Sequence, residues 1–414
     1  MVGPVAQPRP AFGLRPWLAF LRRALVLRFE VFFDIGAGSY RGGPPGHHPG
    51  TGSLRPMERF GFVGLPNAGK SSLYNALAGG GALAAPYAFA TTDPNVGVAK
   101  VFDGRLDALA AMSASKNVVP ASVQFTDIGG LVEGASKGEG LGNRFLAGIR
   151  EVDAVVYVLR AFADADVPGP TDPLEHLRVL EIELTLADLE TVENQVDKRR
   201  KAAKGDKSLL DEVAALEAAQ VALAEGTPIY RSDLAPKVRE LLGPYFLLTN
   251  KPVLAIVNVD EDSIERVDEV VAPVQAELGD RAEVIGACIQ LEAEAAQLDP
   301  DERREMLDGL GLGEGALPRF VRAAYHQLGL RTFFTTGEKE TRAWTFRAGS
   351  KAPQAAGRIH TDFERGFIRA EVIHWDELLE LGSWAKAREV GKLRVEGKDY
   401  EVQDGDVLEI RFNV

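Results

Sequence analysis

The chain has 414 residues, enough for two or three domains with a sizeable core. Its net charge of −13 argues against binding nucleic acid by bulk charge, although a local basic patch stays compatible with it. A single cysteine, Cys288, excludes an internal disulfide framework and a cysteine-built zinc site, the six histidines lack metal-ligand spacing, and no apolar run reaches membrane-spanning length.

Residues 1–56 stand apart. They hold seven Arg, no Lys and two acids, a local charge of +5 that leaves −18 for the rest. An Arg-rich, acid-poor start fits a targeting peptide, and 17–33 could form an amphipathic surface helix. The simpler reading is that Met57 opens the fold and that 1–56 is disordered or not native.

From Met57 the pattern becomes α/β. Residues 60–63, Phe-Gly-Phe-Val, read as a buried strand. The stretch from Gly64 to Ser71 then fits G-x-x-x-x-G-K-[ST], and Leu73, Ala76 and Leu77 follow on one helical face. Strand, glycine-framed loop and helix is the context that a phosphate-binding loop requires. Backbone N–H groups there surround phosphate oxygens, and the helix N-terminus adds partial positive charge. Lys70 is placed to neutralise the β- and γ-phosphates, and Ser71 to ligate Mg²⁺. A plain Gly-rich turn has no need of that Lys-Ser pair. The motif specifies a nucleoside triphosphate without saying which one.

The loop at 87–95 carries Thr91 ahead of Pro94 and Asn95. A threonine here can reach Mg²⁺ and the γ-phosphate as part of a switch; it can equally be an N-cap or ST-turn residue. Residues 121–126 read as a strand that leads into Asp127-Ile-Gly-Gly130. An acid at the C-terminal end of a strand is where a Mg²⁺-organising Asp belongs, and the D-x-x-G spacing offers the Gly130 N–H to the γ-phosphate. A glycine-rich polar loop, 131–142, reads as a second switch. The apolar run 152–159 is then a buried strand of a mostly parallel sheet.

Residues 173–224 read as helical. Leu177, Leu180, Leu184 and Ala187 follow 3-4-3 spacing, and Leu209, Val213, Leu216 and Leu223 continue such spacing on a second segment. Between them Lys198-Arg-Arg-Lys201-Ala-Ala-Lys204-Gly-Asp-Lys207 forms the basic tip of an antiparallel hairpin. Such a run is most often a solvated turn; the functional alternative is a contact with RNA phosphates or an acidic partner.

Residues 251–258 and 284–287 return to the sheet. Asn258-Val259-Asp260-Glu261 falls where a guanine reader carries N-K-x-D, with Val259 in place of the Lys and Glu261 in place of the Asp. In that motif the Asp accepts from guanine N1–H and N2–H₂, and one added methylene misplaces the bidentate acceptor. The expectation is a poor guanine reader. Past 330, short β-type runs at 332–336, 343–346, 367–373 and 407–412 suggest a compact α+β module without a catalytic motif.

Taken in order, GLPNAGKSSL, TTDPNVG, DIGGLVEGASKGEGLGNRFL, the N-x-x-E at Asn258 and Glu261, and the C-terminal FFTTGEKETRAWTF and VEGKDYEVQDGDVLEIRFNV resemble the Obg-like ATPase family, the YchF-type ribosome-associated ATPases, over residues 60–414. The resemblance implies an α/β fold. A P-loop NTPase G-domain with a mostly parallel sheet (57–165 and 246–329) would be interrupted by a helical coiled-coil insert (166–245) and followed by a β-grasp (TGS) α+β domain (330–414). It further implies hydrolysis of ATP in preference to GTP with Mg²⁺, and binding to ribosomes or ribosomal subunits, with rRNA contact expected at the Lys198–Lys207 tip.

Carried over by position, Gly64, Leu65, Pro66, Asn67, Ala68, Gly69, Lys70, Ser71 and Ser72 cradle the phosphates. Lys70, Thr91, Asp127 and Gly130 form the catalytic set, and Ser71, Thr91 and Asp127 hold the metal. Asn258, Val259 and Glu261 meet the base, and Asn67 marks the position that in potassium-stimulated relatives helps hold K⁺. The residue after D-x-x-G is Leu131, so no obvious side chain there orients water. The loop 162–172 lacks the histidine that relatives carry before the insert; His176 is the nearest, and no general base is assigned. The alternatives are a nucleotide-gated binding protein with incidental hydrolysis, or an Obg-type GTPase. The expected protein is a cytoplasmic monomer that binds neither DNA nor membrane, with Cys288 as a packing residue on the base side.

Overall fold

The computed structural model of the chain describes residues 58–79, 96–128, 141–163 and 169–413. The expectations placed on 1–56, on Thr91, on Gly130 and on the loop that follows it fall outside the described residues. In chain order the elements used below are β1 (Arg59–Val63), α1 (Lys70–Gly79), β2 (Val96–Lys100), α2 (Gly104–Met112), β3 (Val118–Val119), β4 (Ser122–Asp127), α3 (Leu141–Glu151), β5 (Ala154–Arg160), α4 (Pro173–Ala203), α5 (Leu210–Ala224), β6 (Val253–Asn258), β7 (Glu283–Ala287), α6 (Ile289–Ala295), α7 (Ala316–Gln327), β8 (Leu330–Thr335), β9 (Thr341–Arg347), β10 (Phe367–His374), β11 (Arg394–Glu396) and β12 (Asp406–Phe412).

Six strands form the first sheet in the order β2-β4-β1-β5-β6-β7. Its ladders are parallel except for the antiparallel pair β2–β4. Strands β5 and β6 are buried along their whole length, which is why their sequences run apolar without alternation: both faces of the sheet are covered. On one face Phe62 stacks on Phe125 at 5.3 Å between ring centres, and Phe320 of α7 lies 5.6 Å from Phe125. On the other, Val63, Tyr157 and Leu159 share a core with Leu177, Leu180 and Leu184 of α4. The parallel arrangement brings the C-terminal ends of β1, β4, β5 and β6 to one edge, and the loop after β1 opens there.

Helix α4 starts at Asp172, whose side chain accepts a hydrogen bond from the Leu174 N–H, with Pro173 in the first turn. It runs unbroken for 31 residues, about 46 Å at the ordinary rise of a helix. Its first half lies on the sheet. Its second half buries Val192 and Val196 against Ala215, Leu216 and Ala219 of α5. Where the two halves meet, the wholly buried Asp188 accepts from the Leu248 N–H (2.9 Å), the Thr249 N–H (2.7 Å) and the Thr249 hydroxyl (2.7 Å). Burial pushes that carboxyl up to about 6, against the pull of these donors. At the far end, Arg199 donates to the Tyr245 hydroxyl (2.8 Å) and Arg200 to Glu217 (2.6 Å). Lys198, Lys201, Lys204 and Lys207 are exposed and make no ion pair among the described residues.

The second sheet has the order β11-β10-β12-β8-β9-β3. Its last member comes from far upstream: Val118 and Val119 pair in parallel with Thr341 and Arg342. A two-residue strand has no periodicity to read, so this long-range pairing has no signature in the sequence. The fully buried Thr341 hydroxyl meets Ser115 (2.7 Å) and Thr336 (2.6 Å), and Thr336 donates to Ser113 (2.8 Å). Arg105 reaches Asp404 at 2.7 Å. A single apolar core runs from Phe60 and Phe125 through to Phe334, Ile373 and Val407. Among the described residues no helix is long and apolar enough to cross a membrane.

Candidate nucleotide site

Beyond Val63 the chain turns at Gly64, where a β-carbon would stand 2.5 Å from the Val158 carbonyl oxygen of β5. The loop can hug the strand only without a side chain at that point. Asn67 adopts a left-handed conformation at φ 62°, which asparagine tolerates. Gly69 lies at φ 100°, and a β-carbon there would meet Asn258 Nδ2 at 2.4 Å. Leu65 and Ala68 turn inward, whereas Pro66, Asn67, Ser71 and Ser72 are exposed. The result is a backbone loop wrapped over the start of α1, with its polar side chains toward solvent.

Lys70 is only 7% exposed, and its Nζ donates to the Leu65 carbonyl of its own loop at 2.9 Å. Burial lowers its pKa, and the charge of Asp127 opposes that fall. The Ser71 hydroxyl donates to Asp127 Oδ2 at 2.8 Å. Register makes this contact possible: Phe62 of β1 lies opposite Asp127 of β4, so the two strands end level with the loop. A hydroxyl and a carboxylate oxygen side by side are the donor set of a hard cation. No group of three His, Cys, Asp or Glu fit to hold a metal occurs among the described residues. One carboxylate with one hydroxyl would suit Mg²⁺, which takes its remaining ligands from water and phosphate.

At the C-terminal end of β6, Asn258 uses both ends of its amide inside the protein. Nδ2 donates to the Ala68 carbonyl (3.2 Å), and Oδ1 accepts from the Ile289 N–H (3.2 Å). Asn258 thus braces the phosphate loop against α6. Val259 is 2% exposed and belongs to the same core as Cys288 and Leu291, so its side chain does not take the place of a Lys stem over a base. Glu261 is exposed at the start of the 3₁₀ turn Glu261–Arg266. Asp260, beside it, has a buried Oδ1 with no partner among the described residues. Burial raises the pKa of the Cys288 thiol, and the charges of Glu261 and Asp260 add to the rise.

Two residues gain significance from the structure. Arg160 ends the apolar strand β5 opposite Asn258 and is 1% exposed. It donates Nε to the Phe162 carbonyl (3.0 Å) and stacks on the Phe162 ring at 4.5 Å. The signal was a lone Arg closing an all-apolar run. His176 is buried, and Nε2 meets the Pro170 carbonyl at 2.8 Å. Facing a carbonyl, that nitrogen must carry the proton, so Nδ1 is the basic one, and it has no partner among the described residues. Burial lowers the pKa of the ring, against the pull of the Pro170 carbonyl. A cleft of about 420 Å³ lies elsewhere, lined by Phe102, Arg105, His326 and Asp404, and none of the expected site residues lines it.

The family described as "50S ribosome-binding GTPase" matches residues 59–214. The YchF-GTPase C-terminal family, described as a protein of unknown function, matches 330–413. A relative from Bacillus subtilis (strain 168), named ribosome-binding ATPase YchF, is 46% identical over 361 residues, covering 86% of this chain and 99% of its own. A relative of the same name from Escherichia coli O157:H7 is 44% identical over 363 residues, covering 86% of this chain and 99% of its own. The solved structure of the Schizosaccharomyces pombe YchF GTPase superposes with a TM-score of 0.78 at 34% identity, covering 86% of this chain and 98% of its own. With near-complete coverage of these relatives and the same P-loop fold, the chain belongs to the YchF family.

Proposed function

We propose that the chain is an ATP-hydrolysing switch protein that acts on the ribosome in the cytoplasm. The observation that carries the chemistry is the Ser71–Asp127 hydrogen bond beside the buried Lys70. Relatives named ribosome-binding ATPases support the activity and the partner. In this reading Lys70 exchanges the Leu65 carbonyl for the β- and γ-phosphate oxygens, a stronger, charge-assisted partner. Ser71 and Asp127 hold Mg²⁺, which when bound neutralises charge building on the transferred phosphoryl group. The backbone from Gly64 to Ser72 surrounds the phosphates, Asn67 helps hold K⁺, and Thr91 and Gly130 order around the γ-phosphate. Asn258 keeps the loop in register, and Glu261 leaves guanine poorly read, so ATP is preferred over GTP.

The domain reading that goes with this is a discontinuous nucleotide domain (57–165 and 246–329), a helical insert (166–245) and a TGS domain (330–414). Contact with rRNA falls to Lys198, Lys201, Lys204 and Lys207, because the neighbouring arginines are already paired. A nucleotide-gated binder with incidental turnover is the second reading, favoured by Leu131 at the position where a water-orienting side chain would stand. Stimulation of turnover by ribosomes separates the two.

Calorimetry of ATP against GTP with Mg²⁺ and K⁺ tests the proposal. Tighter ATP binding, with turnover lost in Lys70→Ala, is the expected result. Tighter GTP binding would overturn the base assignment, and unchanged turnover in Lys70→Ala would overturn the site.

A further inference from the structure

Strand β4 ends with two neighbours that point opposite ways. Alternation along a strand sends Phe125 and Asp127 to the face of α1 and Ile128 to the face of α3. On that second face two glycines from different elements leave room for one side chain. A β-carbon at Gly61 of β1 would stand 2.2 Å from Ile128 Cδ1, and one at Gly148 of α3 would stand 2.7 Å from Ile128 Cγ2. Val152 closes the socket, 3.0 Å from the same Gly61 position. A glycine inside a helix weakens it unless packing requires the space, and here the space is filled by the isoleucine.

We propose that Ile128 is a positioning residue for Asp127. Seated between Gly61 and Gly148, it fixes the backbone at the end of β4 and thereby the direction in which Asp127 meets Ser71. The inference rests on the reading of Ser71 and Asp127 as the metal end of the site. A β-branched side chain is stiff about χ1. Crowding its Cγ2 must therefore rotate χ1 or shift the backbone that Asp127 shares, whereas crowding Cδ1 can be relieved partly by rotation about χ2. The two glycines thus predict lesions of different depth and different remedy.

The test uses the full chain and reads ADP affinity by calorimetry in Mg²⁺ and in EDTA, together with ATP turnover. Gly148→Ala is expected to lower the gain in affinity that Mg²⁺ confers, and the turnover, by about tenfold, since misplacement of about 1 Å can cost about a hundredfold. Affinity in EDTA should stay within about threefold. Gly61→Ala should do the same more mildly. Adding Ile128→Val, which removes only Cδ1, should restore Gly61→Ala and leave Gly148→Ala impaired. Parental Mg²⁺ dependence in Gly148→Ala, or equal rescue of both variants by Ile128→Val, overturns the proposal. If Gly148→Ala fails to fold by circular dichroism, the Gly61→Ala pair decides: absence of rescue there overturns it. Ser71→Ala is the control for the underlying reading. If it leaves the Mg²⁺ gain intact, the site assignment itself fails; if it removes the gain while Gly148→Ala does not, only the role of Ile128 fails.

Discussion

Asp188 ties the root of the helical hairpin to the segment that feeds β6, and its protonation should tune that joint. The ordinary value of its carboxyl is 3.8, and burial raises it to about 6 in the folded chain. A raised folded value means that the folded state holds the proton more tightly than the unfolded state. The contribution of Asp188 to stability is then fully present below about pH 4 and is lost as pH rises through about 6. The gap, at about 1.4 kcal/mol for each pH unit, comes to about 3 kcal/mol. Asp188→Asn removes the titration and keeps the shape. It leaves at least one of the three donors to Asp188 poorly matched, a cost of about 1–3 kcal/mol that does not change with pH. The assay is urea unfolding of both proteins by circular dichroism between pH 4.5 and 7.5. Other raised carboxylates, Glu181 and Glu292 among them, occur in both chains and cancel in the difference. The stability of the parent relative to the variant should fall by about 2 kcal/mol as pH rises through this window, the rest of the ~3 kcal/mol being lost below pH 4.5. A difference that stays constant with pH would refute the reasoning, because Asp188 would then titrate alike in both states.

Gly69→Ala combines a left-handed backbone with a β-carbon 2.4 Å from Asn258 Nδ2. It should weaken ATP binding by at least about tenfold with the fold intact, since loop and brace cannot both keep their places; calorimetry that returns parental affinity would count against the brace. At the hairpin tip, exchanging Lys198, Lys201, Lys204 and Lys207 for Glu should weaken ribosome co-sedimentation and flatten its salt dependence by about 0.7–0.9 in log-log slope for each phosphate left without its cation. Arg200→Glu should act less on binding than any one of these, because Arg200 is paired with Glu217. Equal effects from lysines and arginine would mean that the tip does not act through its unpaired cations.

The phosphate loop was legible because its chemistry is local. Glycines at fixed offsets, a Lys-Ser pair and a strand before a helix specify the wrap of eight residues around an anion with no help from the rest of the chain. The continuous apolar runs of β5 and β6 and the helical spacing of Leu177, Leu180 and Leu184 were equally local signals. The pairing of Asp127 with Ser71 followed from the order of the motifs, since parallel strands carry their ends to one edge. Other features had no local signature. Asn258, expected as a base contact, also braces Ala68 against Ile289, which no local pattern signals. Val259 faces the core, Val118 and Val119 complete a sheet more than two hundred residues downstream, and Ile128 sits between glycines of two other elements. Periodicity and turn chemistry depend on near neighbours, so a sequence by itself marks the longer, strongly patterned strands and helices. Which buried amide satisfies which carbonyl, and which glycine makes room for which side chain, depends on the register between segments far apart in the chain, and only the packed tertiary structure decides it.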